Sequence, residues 1–390
     1  MKKAIKNLII PVIQFLAKCL TLIVPIKKGL VLCWSFEGKQ YGGNPRCISE
    51  YIQMRSNDFH IIWLYTKQSK SSFPANVRKI RFGSLKNYYL MNVAEFLITD
   101  SRDFRHFVWH KRKGQKYIMT WHGGIGIKKI EGDAINTLPE EYIKLSKLDS
   151  AYADLFLSGS DFLTSQYRRA FWYNGEVLQK GMPSYDIFFD RDKVLNYNKK
   201  IRSHLSLPDN SFVILYAPTF RSDHSIEPYR VDWNNIISVI SAQKCTEVFV
   251  LIKLHPGLLS ENIDINSLLL NKNVIDVTEM GDIIPLMCAS DILISDYSST
   301  PFEMALLGKP SFIYAPDYDE YDRGLYISLR SLPFMFSSNQ VELVNNIIKF
   351  NYDIYKERVK KFYSDYFGVC DNGTACESVY NWMLSKKLQF

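Results

Sequence analysis

The sequence predicts an α/β protein: two doubly wound parallel-sheet domains facing a central cleft, preceded by a helix on a membrane surface. Three observations carry this. Short, continuous apolar runs recur along the chain, separated by polar turns and amphipathic stretches, as in parallel strands buried on both faces and joined by helices. The 390 residues suffice for two domains with separate cores. A polar, Lys-rich stretch, Asp190–Ser206, has no strand signal and divides two halves of similar pattern.

The elements follow in order. Residues 1–28 hold Lys2, Lys3 and Lys6, an apolar run from Leu8 to Ile26, then Lys27 and Lys28. Pro11, Gln14 and Lys18 interrupt the run, and a spanning helix needs ~20 apolar residues without charge. Gln14, Lys18 and Thr21 form one polar stripe on an otherwise apolar helix, which suits the plane of a membrane surface. A buried helix on the body is the competing reading, and no A-x-A-like cleavage site marks a signal peptide.

Residues 29–200 are assigned to a first, acceptor-side domain. Its strands are expected at Leu30–Ser35, His60–Tyr65, Phe96–Asp100, Tyr117–Trp121, Leu155–Ser158 and Glu176–Gln179, with helices at Asn44–Met54 and Asp161–Phe171. Residues 201–350 form a second, donor-binding domain. Its strands are expected at Phe212–Ala217, Val248–Lys253, Val274–Val277, Asp291–Ser295 and Ser311–Tyr314, with helices at Trp233–Ala242 and Pro301–Leu307. Residues 351–390 read as helices packing back on the body. Ligands in doubly wound sheets bind at the carboxyl ends of the strands.

Composition narrows the chemistry. Hydrophobic residues at 47% and charged residues at 23% are ordinary for a globular protein. The net charge of +8 points to an anionic partner: a phosphorylated substrate, a membrane face or nucleic acid. The seven Cys include no CxxC pair, so no disulfide framework or zinc site is legible and a reducing compartment is expected. No acidic or Cys/His set has metal-ligand spacing, so no metal or cofactor is expected.

Four turns at expected strand ends are rich in functional residue types. In Ser290–Gly308 an apolar strand ends in Ser295-Asp296-Tyr297-Ser298-Ser299, and a helix start follows. Thr300 stands where an N-cap belongs, Pro301 fits the first helical position, and Glu303 completes a capping box. Ser298, Ser299 and Thr300 thus gather at the positive end of a helix dipole, a site for phosphate, with Asp296 beside them. An ordinary strand-to-helix turn would leave the same pattern. In Thr120-Trp121-His122-Gly123-Gly124, the paired glycines let a backbone approach a ligand, and His122 at the strand tip can take a proton. A histidine held structurally in a Gly turn reads alike. Lys253-Leu254-His255-Pro256 places a second imidazole at a strand end, either for a phosphate oxygen or as a cap. Ala217-Pro218-Thr219-Phe220-Arg221 offers a planar fork suited to bidentate phosphate contact. Further on, the acidic groups of Asp317–Gly324 could bind a polyol and Arg323 a phosphate. The basic, aromatic stretch Arg102–Lys116 could meet lipid headgroups or single-stranded nucleic acid, or be a solvated loop.

Taken in order, these segments resemble the CDP-glycerol glycerophosphotransferase family, the teichoic-acid primases and polymerases. The matching pieces are T-W-H-G-G-I-G-I-K-K-I from Thr120, R-R-A-F-W-Y from Arg168, G-M-P-S-Y-D from Gly181, L-Y-A-P-T-F-R from Leu215, K-L-H-P from Lys253, S-D-I-L-I-S-D-Y-S-S-T-P-F-E from Ser290 and Y-D-E-Y-D-R-G-L from Tyr318. The resemblance implies a GT-B fold, peripheral attachment to the cytoplasmic face of the membrane, and transfer of glycerol phosphate from CDP-glycerol to an undecaprenyl-diphosphate-linked saccharide or polymer, with release of CMP. It sets His122 at the general-base position, His255 at the donor diphosphate, and Ser298, Ser299 and Thr300 on the donor phosphate turn. The family often has Arg-Asn where this chain has Ser184-Tyr185, which leaves CDP-ribitol as a donor and capsule as an acceptor pathway. Two other readings share the pattern: a GT-B nucleotide-sugar glycosyltransferase, and a non-catalytic membrane-associated polyanion binder. The two strand-tip histidines and the serine-rich turn favour an enzyme, and nucleic acid is not expected as a partner.

Overall fold

A computed structural model of the protein describes Val12, Phe15, Cys19, Ile23 and residues 24–105, 109–221, 227–254, 271–321 and 324–387. Most of the expected N-terminal helix, together with His255 and Arg323, lies outside the described residues. The chain forms two compact units, one of 1–124, 130–186 and 369–390, the other of 125–129 and 187–368.

The first unit is built on seven strands: β1 (Lys27–Trp34), β2 (His60–Tyr65), β3 (Lys79–Arg81), β4 (Ala94–Thr99), β5 (Lys116–Met119), β6 (Leu155–Ser158) and β7 (Glu176–Gln179). Their order is β3-β2-β1-β4-β5-β6-β7, and each pair is parallel. The chain winds outward from β1 in one direction, returns, and continues from β4 in the other. The strand order therefore reverses between β1 and β4, where such sheets bind ligands. Between strands run α1 (Gly43–Arg55), α2 (Leu85–Val93), α3 (Glu140–Tyr152) and α4 (Asp161–Arg169). Alternate residues such as Val31 and Cys33, Ile61 and Trp63, and Phe96 and Ile98 point to one face. They pack there with Ile48 and Ile52, one turn apart on α1. β4 and β6 are buried along their whole length, which explains the apolar Phe96-Leu97-Ile98 and Leu155-Phe156-Leu157 at their centres.

The second unit begins with α5 (Arg191–His204) and repeats the plan with β8 (Phe212–Ala217), α6 (Trp233–Lys244), β9 (Val248–Ile252), β10 (Val274–Asp276), α7 (Ile284–Ala289), β11 (Ile292–Ser295), α8 (Thr300–Leu306), β12 (Ser311–Tyr314) and β13 (Met335–Ser337). The order β10-β9-β8-β11-β12-β13 is again parallel and reverses between β8 and β11. Ile214, Val250 and Ile294 meet Ile236 and Ile240 of α6, with Leu343 and Ile347 of α9 (Gln340–Ile348). α10 (Tyr352–Phe362) follows in this unit, and α11 (Ala375–Lys386) returns to the first. There Val379, Trp382 and Met383 enter the core. Asp186 accepts the N–H groups of Ala375 at 2.9 Å and Cys376 at 2.7 Å, a carboxylate at the positive end of that helix.

Two strands, β3 and β13, were not foreseen. Each has three residues at a sheet edge, too few to show a period. The Lys-rich stretch expected to join the domains holds α5, and the chain passes between units at Asp186–Ile187. The helix reads as polar because most of it faces water. Its anchor is itself charged: the buried Arg202 donates to the Ala289 and Ser211 carbonyls and to Asp291. Among the described residues, no helix is long and apolar enough to cross a membrane.

Candidate functional site

In the first unit the exits of β1, β4 and β5 converge at the point where strand order reverses. The β5 exit carries Trp121 and His122. The His122 Nδ1 lies 2.8 Å from the Asp100 carbonyl oxygen, which can only accept. In the neutral ring Nδ1 therefore carries the proton, and Nε2 is left as a base. The imidazole lies between two rings: Trp121, with centroids 4.3 Å apart, and Phe36 from the β1 exit, 5.0 Å apart. These residues, with Glu37, Lys39, Ser101, Arg102 and Tyr142, line a pocket of about 230 Å³. That is below the ~300–1,000 Å³ of sites enclosing a whole drug-sized ligand and suits the reacting end of a larger substrate. Three of its residues carry left-handed backbones without being glycine: Phe36 (φ 42°), Glu37 (φ 57°) and Trp121 (φ 55°). Such conformations cost ~1–3 kcal/mol each and concentrate at functional sites.

The pocket wall is rigid. Arg102 is buried and bonded to Asp149 at 3.1 Å, Ser150 at 2.7 Å and Glu131 at 3.2 Å. Tyr117 and Tyr142 donate to Asp149 and Glu131 at 2.8 and 2.7 Å. Burial pushes both tyrosine pKa values up, and the neighbouring carboxylates push the same way. Asn44, at the start of α1, donates to the Trp121 carbonyl at 2.9 Å and accepts the Ser184 N–H at 2.9 Å. Gly124 donates to Tyr185 Oη at 3.0 Å, and a Cβ on Gly124 would stand 2.7 Å from the Tyr185 ring. The glycine expected to admit a ligand is thus closely covered by Tyr185. Gly181-Met182-Pro183-Ser184-Tyr185-Asp186 acts as a clamp: Ser184 holds Asn44, Tyr185 holds Gly124, and Asp186 caps α11.

The basic stretch 102–116 faces inward more than its composition suggested. Arg102 and Arg105 are buried with carboxylate partners, and Trp109 is fully buried. Lys111 and Lys116 pair with Asp154, and Arg112 donates to the Val24 and Asn92 carbonyls. Most of its described cations are engaged by protein groups, while Lys113 is exposed.

In the second unit the exits of β8, β11 and β12 meet at the corresponding reversal. Arg221, expected to offer a free fork, is buried and engaged. Its Nε and Nη2 reach Asp317 at 2.5 and 3.1 Å, Nη2 reaches Asp296 at 2.8 Å, and Nη1 donates to the Thr219 carbonyl at 2.7 Å. Asp296 also accepts from the N–H groups of Thr219 and Tyr297, at 2.8 and 2.7 Å. The guanidinium lies 4.8 Å from the Tyr297 ring centroid, and Tyr321 stacks on Tyr297 at 3.5 Å. Asp317, read as an acidic loop residue for a polyol, is thus the second counter-ion of Arg221.

Above this cluster lies the serine-rich turn. The cap differs from the expected box: Ser299 is the N-cap and Thr300 is the first helical residue. The Ser299 hydroxyl donates to Glu303 at 3.0 Å, the Thr300 N–H donates to Ser298 Oγ at 3.2 Å, and Thr300 Oγ1 donates to Ser295 Oγ at 3.2 Å. All three hydroxyl residues are half-buried. Lys253 braces the turn before His255 by donating to the Thr278 and Met280 carbonyls, both at 2.8 Å. Burial lowers its pKa against the pull of Asp282 and Asp276. Ser298, Ser299, Thr300, Asp296 and Arg221 therefore cluster in the second unit, while His122, Gly123 and Gly124 belong to the first. Among the described residues, no group of three or more His, Cys, Asp or Glu could hold a metal ion. Asp100, Phe36, Asn44 and Tyr297 went unread, since each looks like an ordinary strand-end or core residue.

Comparison with known proteins was made on this architecture. A family model described as CDP-Glycerol:Poly(glycerophosphate) glycerophosphotransferase matches residues 16–385. The chain is 29% identical over 373 residues to a teichoic acid poly(glycerol phosphate) polymerase of Staphylococcus epidermidis, covering 91% of this chain and 50% of that one. It is 28% identical over 383 residues to a polymerase of the same name from Bacillus spizizenii, covering 93% of each. The chain thus spans about half the length of the first relative and nearly all of the second. The solved wall teichoic acid polymerase TagF superposes with a TM-score of 0.83 at 26% identity, covering 98% of this chain and 96% of that one. The paired parallel-sheet architecture is GT-B-like.

Proposed function

This chain belongs to the CDP-glycerol:poly(glycerophosphate) glycerophosphotransferase family, and we propose that it moves glycerol phosphate, or a related polyol phosphate, from a CDP-polyol to a lipid-linked saccharide or polymer in teichoic-acid or capsule synthesis. The observation that carries this reading is His122, with Nδ1 bonded to a carbonyl and Nε2 left as a base beside a small pocket. An acceptor hydroxyl gives its proton to Nε2 as its oxygen attacks the β-phosphorus of the donor. The bond from that phosphorus to the bridging oxygen breaks, and CMP leaves. Alignment and charge stabilisation supply most of the rate in such transfers.

Ser298, Ser299 and Thr300 hold the donor diphosphate, with His255 and Arg323 assigned by their place in the family motifs. Arg221 and Asp296 act beneath that turn as its frame, because each is already bonded to protein groups. The N-terminal segment rests on the inner membrane surface. Val12, Phe15, Cys19 and Ile23 are helical and spaced along one face. Val12, Phe15 and Ile23 are 56%, 66% and 80% exposed, an apolar stripe available to lipid.

The test is to incubate the protein with CDP-glycerol, CDP-ribitol and several nucleotide sugars, together with a lipid-diphosphate-linked saccharide primed with glycerol phosphate. CMP should appear with a CDP-polyol, and CDP-glycerol is the expected donor. Release of UDP or GDP from a nucleotide sugar, without CMP from either polyol, overturns the reading in favour of a glycosyltransferase. His122→Ala should lose ~10²–10⁴-fold in turnover while still binding CDP-glycerol. A variant that keeps most of its rate removes His122 from the chemistry.

A further inference from the structure

Asp100 ends the strand run of β4 and is used twice. Its carbonyl accepts Nδ1–H of His122. Its carboxylate is fully buried and accepts the Phe36 N–H at 3.0 Å through Oδ1 and the Ser35 hydroxyl through Oδ2. Ser35 Oγ in turn accepts from Gln40 at 3.0 Å. Gly43 leaves the room this needs, since a Cβ there would stand 3.0 Å from Oδ2. The carboxylate therefore fastens the left-handed Phe36–Glu37 turn, which lays the Phe36 ring on the imidazole. Backbone strain at such a turn persists only when surrounding bonds over-determine it, and this carboxylate supplies two of them.

We propose that Asp100 is a positioning residue for the transfer: its carbonyl fixes the His122 tautomer, while its carboxylate holds the Phe36 wall against the imidazole. The inference rests on His122 being the general base. The other charged groups nearby balance one another. Lys39 and Glu37, on the β1 exit, pair at 2.9 Å. Arg102, on the β4 exit, is met by Glu131 and Asp149, and Tyr142 of α3 donates to Glu131. Asp100 differs in being bonded to uncharged donors, and burial raises its pKa against those bonds and the nearby His122.

Asp100→Asn is nearly isosteric and can keep an acceptor toward Phe36. CMP release from CDP-glycerol, with the primed lipid-linked saccharide as acceptor, is followed for the parent, this variant and His122→Ala. The variant should keep the KM for CDP-glycerol and lose about tenfold or more in kcat. A parent-like kcat, with His122→Ala inactive, overturns the inference alone. If His122→Ala keeps its rate, the general-base assignment and this inference fall together. Should Asp100→Asn fail to fold, Ser35→Ala strips one donor from the same carboxylate. A fall in kcat at unchanged KM then supports the inference, and a parent-like kcat overturns it.

Discussion

Arg221 separates two ways of using a cation in the second unit. As a direct phosphate ligand, its removal would weaken donor binding and leave the fold alone. As the frame drawn here, its removal should be felt in stability first. The Arg221, Asp296 and Asp317 side chains are 6%, 2% and 15% exposed, so the cluster has little water to fall back on. In Arg221→Met, Asp317 loses two contacts, Asp296 loses one, and the Thr219 carbonyl loses one of its two donors, keeping the Tyr229 hydroxyl. Breaking a buried pair in this way strands the remaining charge and costs ~3–5 kcal/mol. Asp296 keeps the N–H groups of Thr219 and Tyr297, while Asp317 keeps the Tyr297 hydroxyl at 3.2 Å, which favours the lower half of that range. At ~2–4 °C per kcal/mol for a unit of this size, the melting point should fall by about 6–16 °C. The assay is thermal and urea unfolding, with calorimetric titration of CDP-glycerol at a temperature where the variant is folded. Adding Asp296→Asn and Asp317→Asn should recover part of the loss, because the stranded charges are then gone. A loss below ~1 kcal/mol together with abolished donor binding would refute the frame and restore Arg221 to the phosphate.

Much of the fold was legible because its signals are local. Burial on both faces gives β4, β6, β11 and β12 a continuous apolar stretch of three residues each, and a parallel sheet with short crossovers repeats that signal down the chain. β3 and β13 escaped because three residues at an edge carry no period. The role of α5 escaped for a different reason. Its docking depends on Arg202 reaching the Ala289 carbonyl and Asp291 far along the chain, and its polar residues alone read as a linker. α11 was expected to pack back on the body, but its seat in the first core rests on Val379, Trp382 and Met383 meeting strands nearly the whole chain away.

The site was legible where residue type announces chemistry and illegible where geometry assigns it. His122 and the serine-rich turn stand at strand ends, and their side chains have few structural uses there. Arg221 stands at a strand end too, but whether its fork meets phosphate or protein depends on two aspartates from other strands. Gly124 misled in the same way: a bare Cα signals close approach, not what approaches, and here it is Tyr185. Asp100 could not be found at all, since its partners, the Phe36 N–H, the Ser35 hydroxyl and the His122 ring, all lie far from it in sequence.

Two further outcomes follow from contacts already described. Gly124→Ala should cost ~1–3 kcal/mol by overpacking against Tyr185, and pairing it with Tyr185→Ser should recover stability in urea titrations; strictly additive losses would mean that the ring and the glycine do not compete for space. Lys253 gives a pH dependence whose sign can be worked out. Burial lowers its folded pKa below the ordinary value of 10.5, with Asp282 and Asp276 opposing the shift. Between the folded and unfolded values the unfolded chain binds the extra proton, so its contribution to stability rises with pH across that window. That contribution is complete above the unfolded value and is lost as pH falls through the folded one. Lys253→Met cannot titrate, so the difference in unfolding free energy between parent and variant should grow in the parent's favour from neutral pH toward 10.5. The neutral amine also keeps two protons for the Thr278 and Met280 carbonyls, so the gain is not offset by lost hydrogen bonds. A difference that stays flat over that range would show the ammonium group fully hydrated, and the brace beneath the His255 turn would have to be redrawn.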